Sequence, residues 1–394
     1  METVELLEIA ARGEDSRHQF KADVTNQTSL ASEIVAFANS GGGRIFIGID
    51  DDGTISEHDA GSVHRLNQLI GNASSESVRP AINPTTENVS VGTGVVIVVT
   101  VPDGISKPYM DNTGAIWVKS GSDKRRVTAR EELQRMFQAA QLVHGDDVPV
   151  PGTSVADVDL DYFRRFFRAR YEQDMDQQGQ SLGQILSNMR LLSDGLLTVS
   201  GILLFGRDPQ ALQPVFHIKA VCYPGNDIHT STYLDSADIH GRIQTQFEES
   251  LSFILRNLRR EQRGQGVNTT GEVEIPRIVF EELLANALIH RDYFVSAPIR
   301  IFVFDDRIEI ISPGYLPNNL TVANIQTGNS NIRNPILTSF ATKLLPYRGL
   351  GTGILRALRE YPTIDFIDDR EGNLFRSIIR RQPRPTAVPS AEVN

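Results

Sequence analysis

A carboxylate, an amide and an imidazole recur at four-residue intervals in the stretch Glu281–Tyr293. Glu282, Asn286 and His290 therefore project from one polar stripe of a predicted helix whose other positions are largely apolar. A carboxylate one turn before an amide can position a water molecule and a metal-bound phosphate together. An ordinary polar helix face explains the same spacing, and that alternative stays open.

A glycine-rich loop lies further along the chain, at Arg348-Gly349-Leu350-Gly351-Thr352-Gly353. It leads into a predicted helix that continues through Arg359. Loops of this type expose backbone amides at a helix start, where the helix dipole favours anions such as phosphates. Before it, Ile299–Phe304 and Arg307–Ile311 predict a pair of strands that leads into Ser312-Pro313-Gly314. The carboxylate, the amide and the loop are predicted to converge on one triphosphate pocket.

Basic residues dominate positions 119–130, although the whole chain carries a net charge of −10. Five cations there face one acid, which gives a local charge of +4. This asymmetry favours phosphate binding, because cations gain affinity through counterion release without reading sequence. A solvated basic turn is the alternative. The cations are Lys119, Lys124, Arg125, Arg126 and Arg130, and the acid is Asp123.

Ordered motifs in the first third of the chain form a second pattern: Asp15–Lys21, Ala36–Gly43, Ile47–Gly53, Lys107–Tyr109 and Trp117–Ser122. Together they resemble the Schlafen AlbA-type DNA-binding domain over Met1–Ala140. The resemblance implies a nucleic-acid partner, with DNA favoured over RNA, and adds Lys21 to the contact residues. The triplet Gly41-Gly42-Gly43 fits a structural turn and a close approach to phosphate equally well, since glycine has no Cβ and tolerates positive φ.

Some relatives of that domain cleave RNA with two glutamates five residues apart and a downstream aspartate, which suits a divalent cation. The corresponding positions here are Glu14 and Gln19. Gln19 is a neutral amide where a carboxylate is expected. The aspartates at 50–52 could supply the third ligand, but they equally suit an ordinary turn. A metal-dependent RNA endonuclease is therefore the minority interpretation.

The segments over Ile275–Arg381 resemble the ATP-binding domain of the gyrase, chaperone, histidine-kinase and mismatch-repair superfamily. The combination resembles a RecG-helicase-related family, here without helicase motifs. By this resemblance Glu282 is the general base, Asn286 holds Mg²⁺, and the glycine-rich loop covers the phosphates of ATP. The superfamily has an aspartate in a glycine-rich turn where this chain has Ser312-Pro313-Gly314. The nucleotide-binding residues so implied are Asn286, His290, Ser312, Pro313, Gly314, Arg348, Gly349, Gly351, Thr352 and Gly353.

At 394 residues the chain is long enough for two or three domains of roughly 150 residues each. The predicted fold class is α+β, with an AlbA-like α/β domain, a mixed α/β connecting region and a C-terminal α/β sandwich of the Bergerat ATP-binding type. Leu196–Phe205 is predicted to be a buried strand, and Thr128 with Glu131 a capping box opening a helix over Val127–Val143. A polar, glycine-containing stretch at 262–271 is a predicted boundary. The predicted divisions are the first domain at 1–143, a linker at 144–155, the connecting region at 156–265, the ATP-binding domain at 270–382, and a flexible tail at 383–394.

Composition narrows the functional classes further. The acidic start, Met1–Asp15, cannot act as a secretory signal, and the longest apolar runs are far shorter than the ~20 residues of a membrane helix. The single cysteine, Cys222, excludes an intramolecular disulfide and a cysteine-based zinc site. We expect a cytoplasmic protein without a membrane partner that self-associates as a dimer or larger. The leading hypothesis is a nucleic-acid-binding regulator or defence protein controlled by binding or slow hydrolysis of Mg-ATP, and a scaffold with a degenerate nucleotide site is a further alternative.

Overall fold

The computed structural model describes residues 1–56, 58–140, 142–177, 179–228, 231–261, 271–317 and 320–382. They divide into two compact units, Met1–Val143 and His144–Asn394. Both units combine helices with mixed sheets, which confirms the predicted α+β class. No helix among these residues is long and apolar enough to cross a bilayer. The predicted tail at 383–394, and residues 262–270 of the predicted boundary, lie outside the described residues.

The first unit is organised around a four-stranded sheet. Its described elements are α1 (Thr3–Arg12), β1 (His18–Lys21), α2 (Gln27–Asn39), β2 (Gly43–Ile47), α3 (Ala60–Glu76), β3 (Val78–Arg79), β4 (Thr85–Val91), β5 (Gly94–Val101), β6 (Met110–Asp111), β7 (Trp117–Ser120), β8 (Asp123–Arg126) and α4 (Arg130–Ala139). The sheet order is β1-β2-β5-β4, with β1 parallel to β2 and the other pairs antiparallel. The strands β7 and β8 form a separate antiparallel hairpin.

Successive residues of β2 face opposite sides of this sheet, and different helices cover the two sides. Ile45 and Ile47 are buried in a core that includes residues of α2 and α3. Phe46 points to the opposite face, where it joins Leu6 and Ile9 of α1 in a second core. Because successive strand residues face opposite sides, one short strand serves both cores. The sheet is therefore covered by helices on both faces.

The second unit is organised around a six-stranded sheet of order β12-β11-β15-β16-β18-β17, in which β11 and β15 are parallel and the other pairs antiparallel. Strands from the predicted connecting region and from the predicted ATP-binding region share this sheet. Its elements are α5 (Leu160–Tyr171), α6 (Leu182–Asn188), β9 (Leu192–Ser193), β10 (Leu196–Leu197), α7 (Val199–Phe205), α8 (Pro209–Leu212), β11 (Ile218–Cys222), β12 (Asp235–Ile239), α9 (Ile243–Arg256), β13 (Arg260–Glu261), β14 (Glu272–Val273), α10 (Arg277–Ile289), β15 (Ile299–Val303), β16 (Arg307–Pro313), α11 (Val322–Gln326), α12 (Pro335–Leu344), α13 (Gly353–Glu360), β17 (Ile364–Asp369) and β18 (Leu374–Arg380).

Two local predictions are wrong. The apolar run predicted as a strand at Leu196–Phe205 is mostly the helix α7, which Thr198 caps by accepting a hydrogen bond from the Gly201 amide at 3.1 Å. All seven residues of α7 are buried, so no polar face marks the helical period. The predicted capping box at Thr128 is absent, because α4 begins two residues later, after Ala129, without a side-chain cap.

A buried carboxylate anchors the start of the second unit. Asp146 is fully buried, and its Oδ2 accepts the backbone amides of Ile336 and Leu337, at 2.8 and 2.9 Å, where α12 begins. Its Oδ1 has no hydrogen-bond partner among the described residues. Burial raises the pKa of Asp146 to about 6, and the two amides oppose that shift.

This raised pKa predicts a pH-dependent stability. Since the pKa in the folded protein exceeds its usual value of 3.8, the contribution of Asp146 to the free energy of unfolding is greatest below pH 4. It falls as pH rises towards 6, by up to about 3 kcal/mol. The Asp146→Asn variant keeps the shape without the charge, so its stability relative to the wild type should increase over this range in urea unfolding. Asp161→Asn, at an exposed carboxylate, is the control, and a constant difference for Asp146→Asn contradicts the assignment.

Candidate functional site

A deep pocket in the second unit is bounded by α10, β16, β18 and the loop that precedes α13. It contains about 970 Å³ of empty space that is continuous with solvent. Much of the lining is an apolar wall, and α10 adds its polar stripe to it. This combination of apolar wall and few convergent polar groups is typical of small-molecule sites. The apolar lining includes Leu283, Ala287, Ile310, Leu316, Ile325 and Phe375.

The helix α10 fixes the two polar groups at the base of the pocket. It begins after Pro276, and its apolar residues bury it in the core on most sides. Glu282 is only 1% exposed, so its carboxylate is held almost entirely inside the protein. Burial raises the pKa of Glu282, while the neighbouring Arg356 opposes the shift. A buried carboxylate with a raised pKa at a cavity is suited to accept a proton.

Asn286 lies one turn further along α10. Its Nδ2 donates a hydrogen bond to the backbone carbonyl of Glu282 at 2.7 Å. This bond orients the amide, and it leaves the Oδ1 atom as the group that can coordinate a cation or accept from water. The donor set thus fits a magnesium ion whose other ligands are phosphate oxygens and water, the arrangement that Mg²⁺ prefers.

The glycine-rich loop closes against these two side chains. A Cβ at Gly353 would overlap Oε2 of Glu282 and would lie 3.3 Å from Nδ2 of Asn286, so only a residue without a side chain fits there. Gly349 and Gly351 have φ values of 68° and 72°, in the left-handed region that favours glycine. The structure therefore brings the loop, Glu282 and Asn286 together in one pocket, and α13 begins at its edge.

Ser312, His290 and Arg333 also line the pocket, and each already makes a hydrogen bond within the protein. Ser312 Oγ donates to the carbonyl of Ala287 at 3.0 Å, so toward the pocket it can offer only its lone pairs. His290 Nε2 lies 3.3 Å from the hydroxyl of Tyr347, and burial lowers the pKa of His290 to about 4. The imidazole is therefore neutral at pH 7. Arg333 braces the same region by donating to the carbonyls of His290 and Tyr315.

Of the residues predicted for nucleotide binding, all but Pro313 line this pocket. The sequence argument missed several polar lining residues, among them Arg333, Tyr347 and Arg356. The sequence did indicate that Arg356 could line the pocket, because Arg356 stands one turn after Gly353 in the helix that follows the loop. Arg333 and Tyr347 stand in segments whose sequence shows no period or motif.

The basic cluster of the first unit lies on β7, β8 and the start of α4. Arg125, Arg126 and Arg130 are exposed, whereas Lys21, Lys119 and Lys124 are half-buried. Lys124 Nζ pairs with Glu33 at 2.9 Å, and Arg125 Nη2 pairs with Glu132 at 2.6 Å. These two acids reduce the local charge from the predicted +4 to +2. The count along 119–130 includes neither acid, because Glu33 belongs to α2 and Glu132 lies just past the counted segment.

Lys119 is turned inward rather than presented to solvent. Its ammonium group donates to Gln19 Oε1 at 2.6 Å and to the carbonyl of Ser122, and it lies 4.8 Å from the centre of the Phe37 ring. Burial lowers the pKa of the Lys119 side chain. Gln19 in turn donates from Nε2 to Glu14 Oε1 at 2.5 Å. A lysine cation therefore stands beside the two positions where RNA-cleaving relatives carry carboxylates.

The aspartates after β2 and the glycine triplet before it both have structural explanations. Asp50 and Asp52 accept hydrogen bonds from Ser56 and Thr54 within one turn. No group of three histidine, cysteine or acidic residues suited to a metal occurs in the described part of the chain. A Cβ at Gly43 would overlap the Phe37 ring, and a Cβ at Gly42 would lie 2.8 to 3.0 Å from backbone atoms of residues 101–103. The triplet thus lets α2 and β5 approach β2 closely.

Two protein-family models match the chain. Residues 14–128 match the family described as "Schlafen, AlbA_2". Residues 296–369 match the HATPase_c_4 family, described as "Putative ATP-dependent DNA helicase recG C-terminal". The second match includes the glycine-rich loop, whereas Glu282 and Asn286 precede it. No curated protein matches the sequence.

Solved structures include two similar chains. The DIP2311 protein from Corynebacterium diphtheriae is 20% identical, with a TM-score of 0.46, and the alignment covers 96% of this chain and 80% of that one. The N-terminal domain of a "Putative ATP-dependent DNA Helicase RecG-related Protein" from Nitrosomonas europaea is 23% identical, with a TM-score of 0.23, and the alignment covers 33% of this chain and 96% of that one.

Proposed function

We propose that this chain, which carries a Schlafen AlbA_2 domain followed by a recG C-terminal HATPase_c_4 domain, is a nucleic-acid-binding protein controlled by Mg-ATP. The first domain binds the nucleic acid, with DNA favoured. The second binds the nucleotide and hydrolyses it slowly if at all. The same proposal includes a role in transcription control or phage defence. It also includes assembly into a dimer or larger oligomer.

One observation carries the nucleotide half of the proposal: Glu282 and Asn286 of α10 meet Gly353 in a single pocket, although Gly353 comes from a separate segment. Magnesium held between Asn286 Oδ1 and the phosphates would neutralise charge on the triphosphate. The loop and the start of α13 present backbone amides to the phosphates, and the apolar wall receives the base. Glu282 orients a water molecule and accepts its proton.

The nucleic-acid half is supported by two exposed side chains: Arg126 on β8, within the match to the Schlafen family, and Arg130 at the start of α4, just after it. Cations in this setting bind phosphates without base specificity. We do not extend the proposal to RNA cleavage. Gln19 lacks the charge of a carboxylate, and the Lys119 ammonium contacts it directly.

Calorimetry and filter binding on the full chain test the two halves. We expect ATP with Mg²⁺ to bind, and we expect a non-hydrolysable ATP analogue to change the affinity for duplex DNA. Absence of nucleotide binding and of any thermal shift would favour the scaffold alternative. Cleavage of transfer RNA in magnesium or manganese that Glu14→Ala abolishes would favour the nuclease alternative.

The ion pairs of the basic cluster predict that its cations contribute unequally to DNA binding. Arg126→Ala and Arg130→Ala should each weaken DNA binding several-fold and lower the slope of log affinity against log salt by about one, because each loses one phosphate contact. Lys124→Ala is the matched control, since Glu33 already compensates Lys124. We expect its slope to change by less than half as much. Equal salt slopes for wild type, Arg126→Ala and Arg130→Ala would rule out this surface.

A further inference from the structure

The guanidinium group of Arg356 forms an ion pair with the Glu282 carboxylate at the base of the pocket. Arg356 belongs to the first turn of α13, and its Nη2 lies 2.8 Å from Glu282 Oε1. The Glu282 side chain is 2% exposed, whereas that of Arg356 is 30% exposed. The pair therefore joins a fixed, buried carboxylate to a cation that reaches in from the pocket.

We propose that Arg356 is a latch that responds to the terminal phosphate: it holds Glu282 in the nucleotide-free protein and transfers to that phosphate when a triphosphate binds. This inference rests on the proposed nucleotide site. The ion pair competes with a water molecule for Oε1 of Glu282, so it opposes the role of Glu282 as a proton acceptor. A phosphate group offers more negative charge than one carboxylate, and guanidinium binds phosphate oxygens in a bidentate manner.

The local packing permits this transfer. Ala357 is fully buried, and Ile354 and Leu358 are half-buried against the core, so α13 itself is anchored. Arg356 needs only rotation about its own side-chain bonds, because it stands one turn after the loop that lines the phosphate end of the pocket. Glu282 cannot follow the guanidinium outward, since it is held on the buried helix α10. Breaking the pair therefore frees the carboxylate in place.

The proposed transfer of Arg356 predicts which nucleotides the site prefers. A diphosphate ends short of the position that the terminal phosphate of a triphosphate takes, so it leaves Arg356 on Glu282. A triphosphate provides a new partner. The preference for triphosphate over diphosphate should therefore depend on Arg356, whereas the binding of base, sugar and inner phosphates should not.

Calorimetry on the full chain with Mg²⁺ tests this, using ADP and a non-hydrolysable ATP analogue. We expect Arg356→Ala to reduce the ratio of analogue to ADP affinity by about tenfold, as loss of a charged hydrogen bond implies. Arg356→Lys should retain part of the ratio. Arg359→Ala, an exposed arginine of the same helix, should leave it unchanged.

A second measurement needs no nucleotide. Hydrogen exchange of the amides at 349–356 should be faster in Arg356→Ala and in Glu282→Gln than in the wild type or Arg359→Ala, because the pair restrains the loop and the first turn of α13. If the wild type binds both nucleotides but Arg356→Ala keeps the same affinity ratio, the latch is wrong and the nucleotide site stands. If the wild type binds neither nucleotide, the proposed function fails and the latch fails with it.

Discussion

Replacing Asn286 with alanine should abolish the magnesium-dependent part of ATP binding, with a loss of affinity of about 100-fold or more. The amide oxygen is the metal ligand that the site offers from α10, and even groups behind a ligand cost 10- to 100-fold when removed. Calorimetry with and without Mg²⁺ separates this effect from a general weakening. In the variant, we expect the weak affinity measured without the metal to persist after Mg²⁺ is added.

A matched control exists for the local damage that this substitution causes. Asn257, at the C-terminal end of α9, donates from Nδ2 to the carbonyl four residues earlier at 2.9 Å, as Asn286 does at 2.7 Å. It also donates to Asp235 at 2.8 Å, and it lies outside the pocket. Asn257→Ala should therefore lose at least as much local stability while keeping full nucleotide affinity. Equal nucleotide affinities for Asn286→Ala and the wild type would remove Asn286 from the metal site.

Glu282→Gln should lower the rate of phosphate release by about 100-fold or more, because a glutamine cannot accept the proton of the attacking water. Binding of the ATP analogue should not weaken, since the amide has the shape of the carboxylate and no longer holds Arg356 by charge. Steady-state phosphate release and calorimetry measure the two quantities separately.

The neighbouring residue provides the comparison. Glu281 pairs with Arg277 at 2.7 Å on the other side of α10 and does not line the pocket. Glu281→Gln should keep the rate of the wild type. An undiminished rate in Glu282→Gln would mean that another group, or water alone, takes the proton.

The second half of the chain could be predicted from sequence where a local pattern carried the information. The four-residue spacing of Glu282 and Asn286 predicts α10, and the glycines at 349–353 predict a loop before a helix. Both segments have these structures, and the pocket contains both. The spacing cannot show that Arg356 pairs with Glu282. That contact depends on how α13 packs against α10, which is a long-range property.

Other failures have equally specific physical causes. A helix buried on every side, such as α7, has no hydrophobic period to detect. The charge at 119–130 was overestimated because Glu33 compensates Lys124 from a distant helix. Gln19 was interpreted through its missing charge, but its contact with Lys119 required the fold. Sequence patterns thus predicted which groups the sites contain more reliably than which partners those groups have.

The shared sheet of the second unit limits how the chain can be divided for experiments. The strand β11, from the region before residue 262, lies hydrogen-bonded between β12 and β15. A fragment that starts at 270 would expose a row of amides and carbonyls along β15. Such an edge invites aggregation. Fragments made to test nucleotide binding should therefore begin near residue 144. If a shorter fragment fails to bind, the cause is a disrupted sheet rather than the absence of a nucleotide site.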